Sequence, residues 1–470
     1  MTDLRGPDAI TVAMPGTARA PGPTLHEQLL ADPTPPPEPL LVESYTFVGD
    51  EDVPYTNYTS EAYAAAEFAH VWAKTWQWAC HVDHIPEPGD YYVYDVGPWS
   101  ALIVRSPSGS VKAYYNACMH RGTQLRAPDT SGFAKQLTCP FHGWTYSLDG
   151  ELIDLPDRWD FPHVGEDTHR LPEMPVAVFA GFVWINFEQH AAPFADHVGV
   201  LTDHFAAFNF EDRYIETHVR KKLPCNWKAA IEAFLEAYHV RETHASGKLG
   251  DEVTTQYDVF EPNVSRFIHT TGLDSPQRLV KRTEAELFEH MTRNMRHGLE
   301  PLVLPEGVRA RDFYAKYVQA EMGSTYGRDF SHLSESITLD SIEYFCFPNA
   351  FFFPGLSLPM VYRFRPDPDD VDVCYFDLLM LRPRPLEGDA PSPPGVIQLD
   401  VEDSYTTAVG LGGLGRVYDQ DTANMAAQTR GFRSSLKRGQ TLGNYQEIRG
   451  RHLQRRVREH IVAGGFTPDA

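Results

Sequence analysis

The chain has 470 residues, 42% of them hydrophobic and 22% charged, enough for two or three soluble domains with full cores and unlike a small scaffold or a membrane-spanning chain. Its 41 Lys and Arg against 64 Asp and Glu give a net charge of −23, which repels phosphate backbones and anionic lipid and argues against nucleic-acid or membrane binding. Six scattered cysteines make no disulfide framework, and Met1-Thr2-Asp3-Leu4-Arg5 lacks the charged-then-apolar layout of a secretory signal, so a cytoplasmic location is expected.

Residues 1–40 are rich in Pro, Ala, Gly and Thr without apolar periodicity and read as a flexible tail. Within residues 41–75, Ser60 reads as the N-cap of an amphipathic helix through Tyr63, Phe68, Val71, Trp72 and on to Trp76, expected to pack on the catalytic part of the chain. Short β-type runs at 91–96, 101–105, 111–115 and 146–148, punctuated by Ser108-Gly109 and Asp149-Gly150, predict a small antiparallel β module. Trp227, Ile231, Phe234, Leu235 and Tyr238 fall at helical spacing over 227–239, with Phe234 and Leu235 read as core. Residues 340–382 return to strand character with a turn at 366–370. Residues 421–461 look helical and carry nine Lys and Arg residues, read as a solvated face or subunit contact.

Two loops offer metal ligands. Cys118-Met119-His120-Arg121-Gly122 and Cys139-Pro140-Phe141-His142-Gly143-Trp144 each carry one thiol and one imidazole. Tetrahedral zinc and a Rieske [2Fe-2S] cluster both accept two Cys and two His. Zinc fingers tend to pair like with like in each loop, whereas these loops mix Cys and His.

Further on, Glu236, His239 and His244 form E-x-x-H-x₄-H. Five helical residues advance by about 140°, so the two histidines share a face only if the helix bends or ends between them. Two histidines and a distant carboxylate would make the facial set of non-haem Fe(II) oxygenases, which leaves coordination positions open for O₂. That carboxylate has to come from elsewhere in the chain. Gly410-Leu411-Gly412-Gly413-Leu414-Gly415 fits G-x-G-x-x-G, but Arg430 to Arg433 occupy the region where a dinucleotide site needs an acidic residue, so it reads as a flexible loop.

The C-x-H-R-G and C-P-F-H-G-W loops, together with the late Asp421-x-x-Asn424-Met425 stretch, resemble Rieske non-haem iron oxygenases, in particular the α (large) subunits of aromatic ring-hydroxylating dioxygenases. The resemblance implies an α+β fold: a β-rich Rieske module at 76–180 inserted in a catalytic domain at 181–470, with an antiparallel sheet flanked by helices. It implies a [2Fe-2S] cluster on Cys118, His120, Cys139 and His142, and a mononuclear Fe(II) on His239, His244 and Asp421, with Asp419 the alternative carboxylate. Glu236 would bridge the two centres across a homotrimer, with or without a small β subunit. The implied activity is O₂-dependent mono- or cis-dihydroxylation of an aromatic or other apolar ring compound, with electrons from NAD(P)H through a separate reductase, directly or by way of a ferredoxin. O- or N-demethylation is the alternative, and an electron-transfer-only Rieske protein a further one. Two positions depart from the usual pattern: Glu236 stands where many relatives have Asp, and Ala233 where Asn is frequent. Glu232 reads as an exposed helix residue or a partner behind the ligands, and Asn349 as a pocket residue or a strand cap.

Overall fold

The computed structural model describes residues 14–20, 22–165, 167–244, 255–274, 280–292, 302–388 and 390–468. Its first body is built from β1 (Gln77–His81), β2 (Asp90–Val96), β3 (Trp99–Arg105), β4 (Val111–Tyr115), β5 (Ser131–Phe133), β6 (Leu137–Thr138), β7 (Thr145–Tyr146), β8 (Leu152–Asp154), β9 (Val176–Phe179) and β10 (Phe182–Ile185). They form three small antiparallel sheets, ordered β4-β3-β2-β5, β6-β7-β8 and β9-β10-β1. Alternation decides which side chains turn inward: Val93, Leu102, Val104, Leu137, Trp144 and Tyr146 share one buried cluster. The expected turn at Asp149-Gly150 joins β7 to β8 with Gly150 at φ +84°, where a Cβ would meet the Tyr114 ring at 2.7 Å.

The second body is an eight-stranded sheet of β11 (Arg213–Leu223), β12 (Thr255–Phe260), β13 (Val264–His269), β14 (Ser341–Cys346), β15 (Ala350–Phe352), β16 (Met360–Pro366), β17 (Cys374–Pro383) and β18 (Ile397–Leu399). The order is β12-β13-β14-β15-β16-β17-β11-β18, antiparallel except for the parallel β11–β18 pair. Helices Trp227–Glu232, Leu414–Thr422 and Ile448–Ala463 accompany it. The architecture is therefore α+β, as the resemblance implies.

A buried ionic junction ties the two bodies together. Asp377 on β17 is fully buried and accepts from Arg220 Nε at 2.6 Å, Arg363 Nη2 at 2.9 Å and His218 Nε2 at 3.1 Å. Those arginines reach into the first body: Arg220 Nη1 donates to Asp129 Oδ1 at 2.9 Å and Arg363 to the β1 carbonyl of Ala79, while Arg365 donates to the β2 carbonyl of Asp95. Burial alone would raise the Asp377 carboxyl, but three guanidinium groups hold it well below the ordinary range. Asn349 is buried at the same junction, at the start of the strand Ala350–Phe352, and donates to Tyr94 Oη at 3.3 Å, which fits the strand-end reading.

Several local expectations need correction. Residues 14–40 are not a loose tail, while residues 1–13 and 21 of that stretch lie outside the described residues. Thr24 and Glu27 form a capping box on helix Leu25–Leu30, and Leu25, Leu29 and Leu40 are buried with Trp78 and Trp184. Asp32 is buried against Arg311, its Oδ2 2.8 Å from Nη2, and Arg311 is shared with Asp340 at 2.6 Å. Two turns of helix are too short to show periodicity, and the partners lie some 280 residues away. Replacing Asp32 by Ala leaves a buried guanidinium half-paired, and a loss of about 3 kcal/mol in unfolding free energy is expected from denaturant titration.

Ser60 does cap the next helix, Glu61–Glu67, accepting from Tyr63 N at 3.3 Å, but the chain then continues as a π-turn over Phe68–Trp72. The stretch read as helix over 227–239 stops at Glu232 and resumes as Val240–Thr243. The glycine-rich stretch is not a flexible loop: Val409–Leu411 is a 3₁₀ turn, and Gly413 caps the helix Leu414–Thr422. The basic C-terminal region is two helices, Met425–Ser434 and Ile448–Ala463, and part of it turns inward, with Arg449 fully buried against Glu343 at 2.7 Å.

Candidate metal centres and active site

The Cys118 and Cys139 loops repeat one geometry. Gly122 N donates to Cys118 O at 2.9 Å and Gly143 N to Cys139 O at 3.1 Å, while Cys118 N donates to Thr123 O at 2.9 Å and Cys139 N to Trp144 O at 2.8 Å. Both turns need left-handed backbone, supplied by Gly122 at φ +77° and Gly143 at +75°. Both cysteines are buried and free, and their thiols face one another. The His120 and His142 rings lie 4.7 Å apart, with Trp144 stacked flat on His120 at 4.9 Å. His120 Nδ1 is buried without a hydrogen-bond partner, as a nitrogen facing a metal would be. Two thiols and two imidazoles thus converge, and they fit a [2Fe-2S] cluster.

Tyr146, a residue the sequence does not single out for chemistry, lies beneath this group. Its hydroxyl accepts from Met119 N at 3.0 Å and lies 3.4 Å from Cys118 Sγ. An O–H donated to a cysteine sulfur stabilises the reduced, more negative cluster. Tyr146→Phe is expected to lower the cluster's reduction potential by about 40 mV, the one-electron equivalent of a ~1 kcal/mol hydrogen bond, read by potentiometric EPR titration.

The second group forms where the helix breaks. His239 is the N-cap and His244 the C-cap of the four-residue helix Val240–Thr243. The helix ends at His244, and the two rings lie with centroids 5.5 Å apart. Asp421, from the helix Leu414–Thr422, places Oδ1 2.8 Å from His244 Nε2 and 3.4 Å from His239 Nε2. The three ligand atoms lie within 4.8 Å of one another. Burial alone would lower His239, yet the Asp421 and Glu236 carboxylates hold it up at about 10. The same negative potential that favours a proton there favours a metal cation. The donor set fits Fe(II). Asp419 is turned away, accepting from Ser404 Oγ at 2.5 Å and Tyr405 N at 2.9 Å.

Behind the ligands, His239 Nδ1 donates to Glu236 Oε1 at 2.8 Å and His239 N to Oε2 at 2.9 Å. His244 Nδ1 donates to Gln420 Oε1 at 2.8 Å, a partner the sequence reading missed although it adjoins Asp421. Glu232 is neither exposed nor a direct partner of the ligands. It is half-buried and accepts from Tyr58 at 2.7 Å, Gln440 at 2.8 Å and Gln454 at 2.6 Å.

Burial holds the Glu232 carboxyl at about 7, above its ordinary 4.5, with those hydrogen bonds working the other way. The folded chain therefore binds this proton more tightly than the unfolded one, and stability is lost as pH rises from 4.5 to 7. Glu232→Gln is expected to flatten that fall, measured as the midpoint of thermal unfolding across the same pH range.

His239, His244 and Asp421 lie in the wall of a cavity of about 220 Å³. Phe234, Phe353, Tyr362, Tyr418, Met360 and Leu358 line much of the rest, so Phe234 walls the cavity as well as packing on Phe376. Leu235 is core, as expected. A smaller polar cavity of about 170 Å³ meets His239 and Asp421 from the side of Glu232 and Gln420. Among the described residues, no hydrogen bond, ion pair or ring contact joins the Cys/His loops to Glu236, His239, His244 or Asp421.

Comparison with known proteins agrees with both centres. Residues 75–165 match the Rieske [2Fe-2S] domain, and residues 208–463 match the ring hydroxylating alpha subunit (catalytic domain). The chain belongs to the ring-hydroxylating α-subunit family. Its cofactors are accordingly a Rieske [2Fe-2S] cluster and a mononuclear iron, and as a family member it is an oxidoreductase. This family member is 24% identical to the benzene 1,2-dioxygenase subunit alpha of Pseudomonas putida over 439 residues, 87% of this chain and 88% of that one. It is 29% identical to the carnitine monooxygenase oxygenase subunit of Acinetobacter pittii over 205 residues, 42% of this chain and 55% of the relative. In that match and in the one to the chlorobenzene dioxygenase subunit alpha of a Cupriavidus species, the chain spans about half the length of the relative. Among solved structures, naphthalene 1,2-dioxygenase with indole bound is similar at a TM-score of 0.62 and 19% identity, covering 89% of this chain and 93% of that one. The quaternary ammonium Rieske monooxygenase CntA with L-carnitine gives 0.61 and 18%, covering 89% and 100%. Among the described residues, no helix is long and apolar enough to cross a membrane.

Proposed function

We propose that this α-subunit family member is the terminal oxygenase of a multicomponent system that hydroxylates an aromatic or other apolar ring compound with O₂. The observation that carries the reading is the set of two histidines and one carboxylate in the wall of an aromatic cavity. At about 220 Å³ that cavity exceeds the ~150 Å³ apolar cavity that accepts benzene, and suits one or two rings. When bound, the two iron centres supply the one-electron steps that spin-paired organic substrates lack for reaction with O₂.

The chain's own residues supply the rest. Phe234, Tyr362 and Tyr418 hold an apolar ring against the ligand set and exclude water from it. Glu236 fixes the His239 ring through Nδ1–H. His142 is exposed and half of the Tyr238 surface is open to solvent, while among the described residues no hydrogen bond, ion pair or ring contact joins the two centres. That favours transfer between subunits of a homotrimer, with Glu236 between its own His239 and His142 of the partner subunit. The glycine-rich stretch forms no βαβ unit, so NAD(P)H acts through a separate reductase, directly or by way of a ferredoxin. A cytoplasmic location fits the reading, and a small β subunit is a matter for copurification.

The test is metal and sulfide content with EPR on anaerobically purified chain, followed by turnover of a panel of one- and two-ring compounds with a partner reductase. About three irons and two acid-labile sulfides per chain, a Rieske signal and hydroxylated product are expected. Zinc without sulfide would overturn the reading. Demethylation of methoxy or N-methyl substrates in place of ring hydroxylation would redirect it.

A further inference from the structure

Both imidazoles of the candidate iron site are held from behind, but by groups of different charge. His239 Nδ1–H donates to a carboxylate, Glu236, whereas His244 Nδ1–H donates to an amide oxygen, that of Gln420, each at 2.8 Å. Gln420 directly precedes Asp421 on the helix Leu414–Thr422. Consecutive residues of one helix thus grip the His244 ring from both ends, Gln420 at Nδ1 and Asp421 at Nε2, the latter also at 2.8 Å. His244 itself is buried, its side chain 3% exposed, so water cannot easily take over from Gln420.

We propose that Gln420 is a positioning residue for His244: it fixes the tautomer that presents Nε2 to the metal. The inference rests on His239, His244 and Asp421 being the iron ligands. An amide oxygen accepts from His244 Nδ1–H without adding a charge behind the ring. Two consequences separate this role from simple packing. Removing the acceptor loosens the metal, and restoring an acceptor as a carboxylate tightens it again, because a charged partner makes the imidazole more basic.

The experiment uses the full chain with its cluster intact, the mononuclear metal removed by chelation and replaced by titrated Co(II), whose visible d–d bands report ligand geometry. Gln420→Leu is expected to weaken Co(II) binding by about 10–100-fold and to shift the bands. Gln420→Glu is expected to bind at least as tightly as the parent with the parental band pattern. The Rieske EPR signal shows that each variant is folded. Parental affinity and bands in Gln420→Leu, or a Gln420→Glu chain as weak as Gln420→Leu, would overturn the proposal. A parent chain that binds no Co(II) at all would instead overturn the assignment of the ligands.

Discussion

Asp421→Ala is expected to abolish substrate-coupled O₂ consumption while leaving the Rieske EPR signal unchanged. Asp421 is the only carboxylate that reaches both ligand imidazoles among the described residues, and its side chain is 7% exposed. Burial pushes its carboxyl up, yet His239 and His244 keep it ionised, below the usual carboxylate range. Without it, two neutral imidazoles must hold a dication with no charge from the protein among the directly bound atoms. Iron affinity should fall well beyond the ~10–100-fold that accompanies loss of an outer partner. Iron analysis should therefore drop from about three to about two per chain, the two being those of the cluster. Loss of all three would show that the change had unfolded the chain and not merely emptied one site.

Glu236→Gln is expected to separate reduction of the cluster from its use. The carboxylate accepts from both the backbone N–H and the ring N–H of His239. An amide retains one acceptor oxygen, so the metal should remain, at a cost within the same ~10–100-fold range. Under single turnover the cluster should reduce at the parental rate and reoxidise about 10–100-fold more slowly with substrate and O₂ present. Stopped-flow absorbance of the cluster reads both phases. An unchanged reoxidation rate would remove Glu236 from the path between the centres and leave it only the His239 ring to orient.

Much of this site is legible in the residues because its spacing is local. C-x-H and C-x-x-H, each with a glycine four residues after the cysteine, make tight turns that present one thiol and one imidazole, and the two loops do so with matching backbone bonds. The five-residue interval between His239 and His244 forbids one long regular helix through both, and only the four-residue helix Val240–Thr243 stands between them, with a histidine at each cap. What stays hidden depends on distant partners. Glu232 looks like an exposed helix position until Tyr58, Gln440 and Gln454 close over it from both ends of the chain. Asp32 looks like linker until Arg311 meets it. Arg449 belongs to a basic run that reads as solvated, yet it is buried and donates to the carbonyl of Leu235, one residue before Glu236. Composition and period report the average face of an element. They carry no information about which single charge along it has a partner across the core.

The arginine fan around Asp377 also bears on how such chains can be recombined. A Rieske module cut from one family member and spliced into another would arrive without the side chains that meet it: Arg220, Arg363 and Arg365 all come from the catalytic sheet, yet they reach Asp129, Ala79 and Asp95 in the module. A mismatched graft leaves those buried guanidinium groups with Asp377 but without their partners in the module, so its seam costs more than the few surface contacts of an ordinary domain boundary. Chimeras should therefore work only when the splice carries the fan along with the module, and the two bodies should exchange amide hydrogens as one unit, not two.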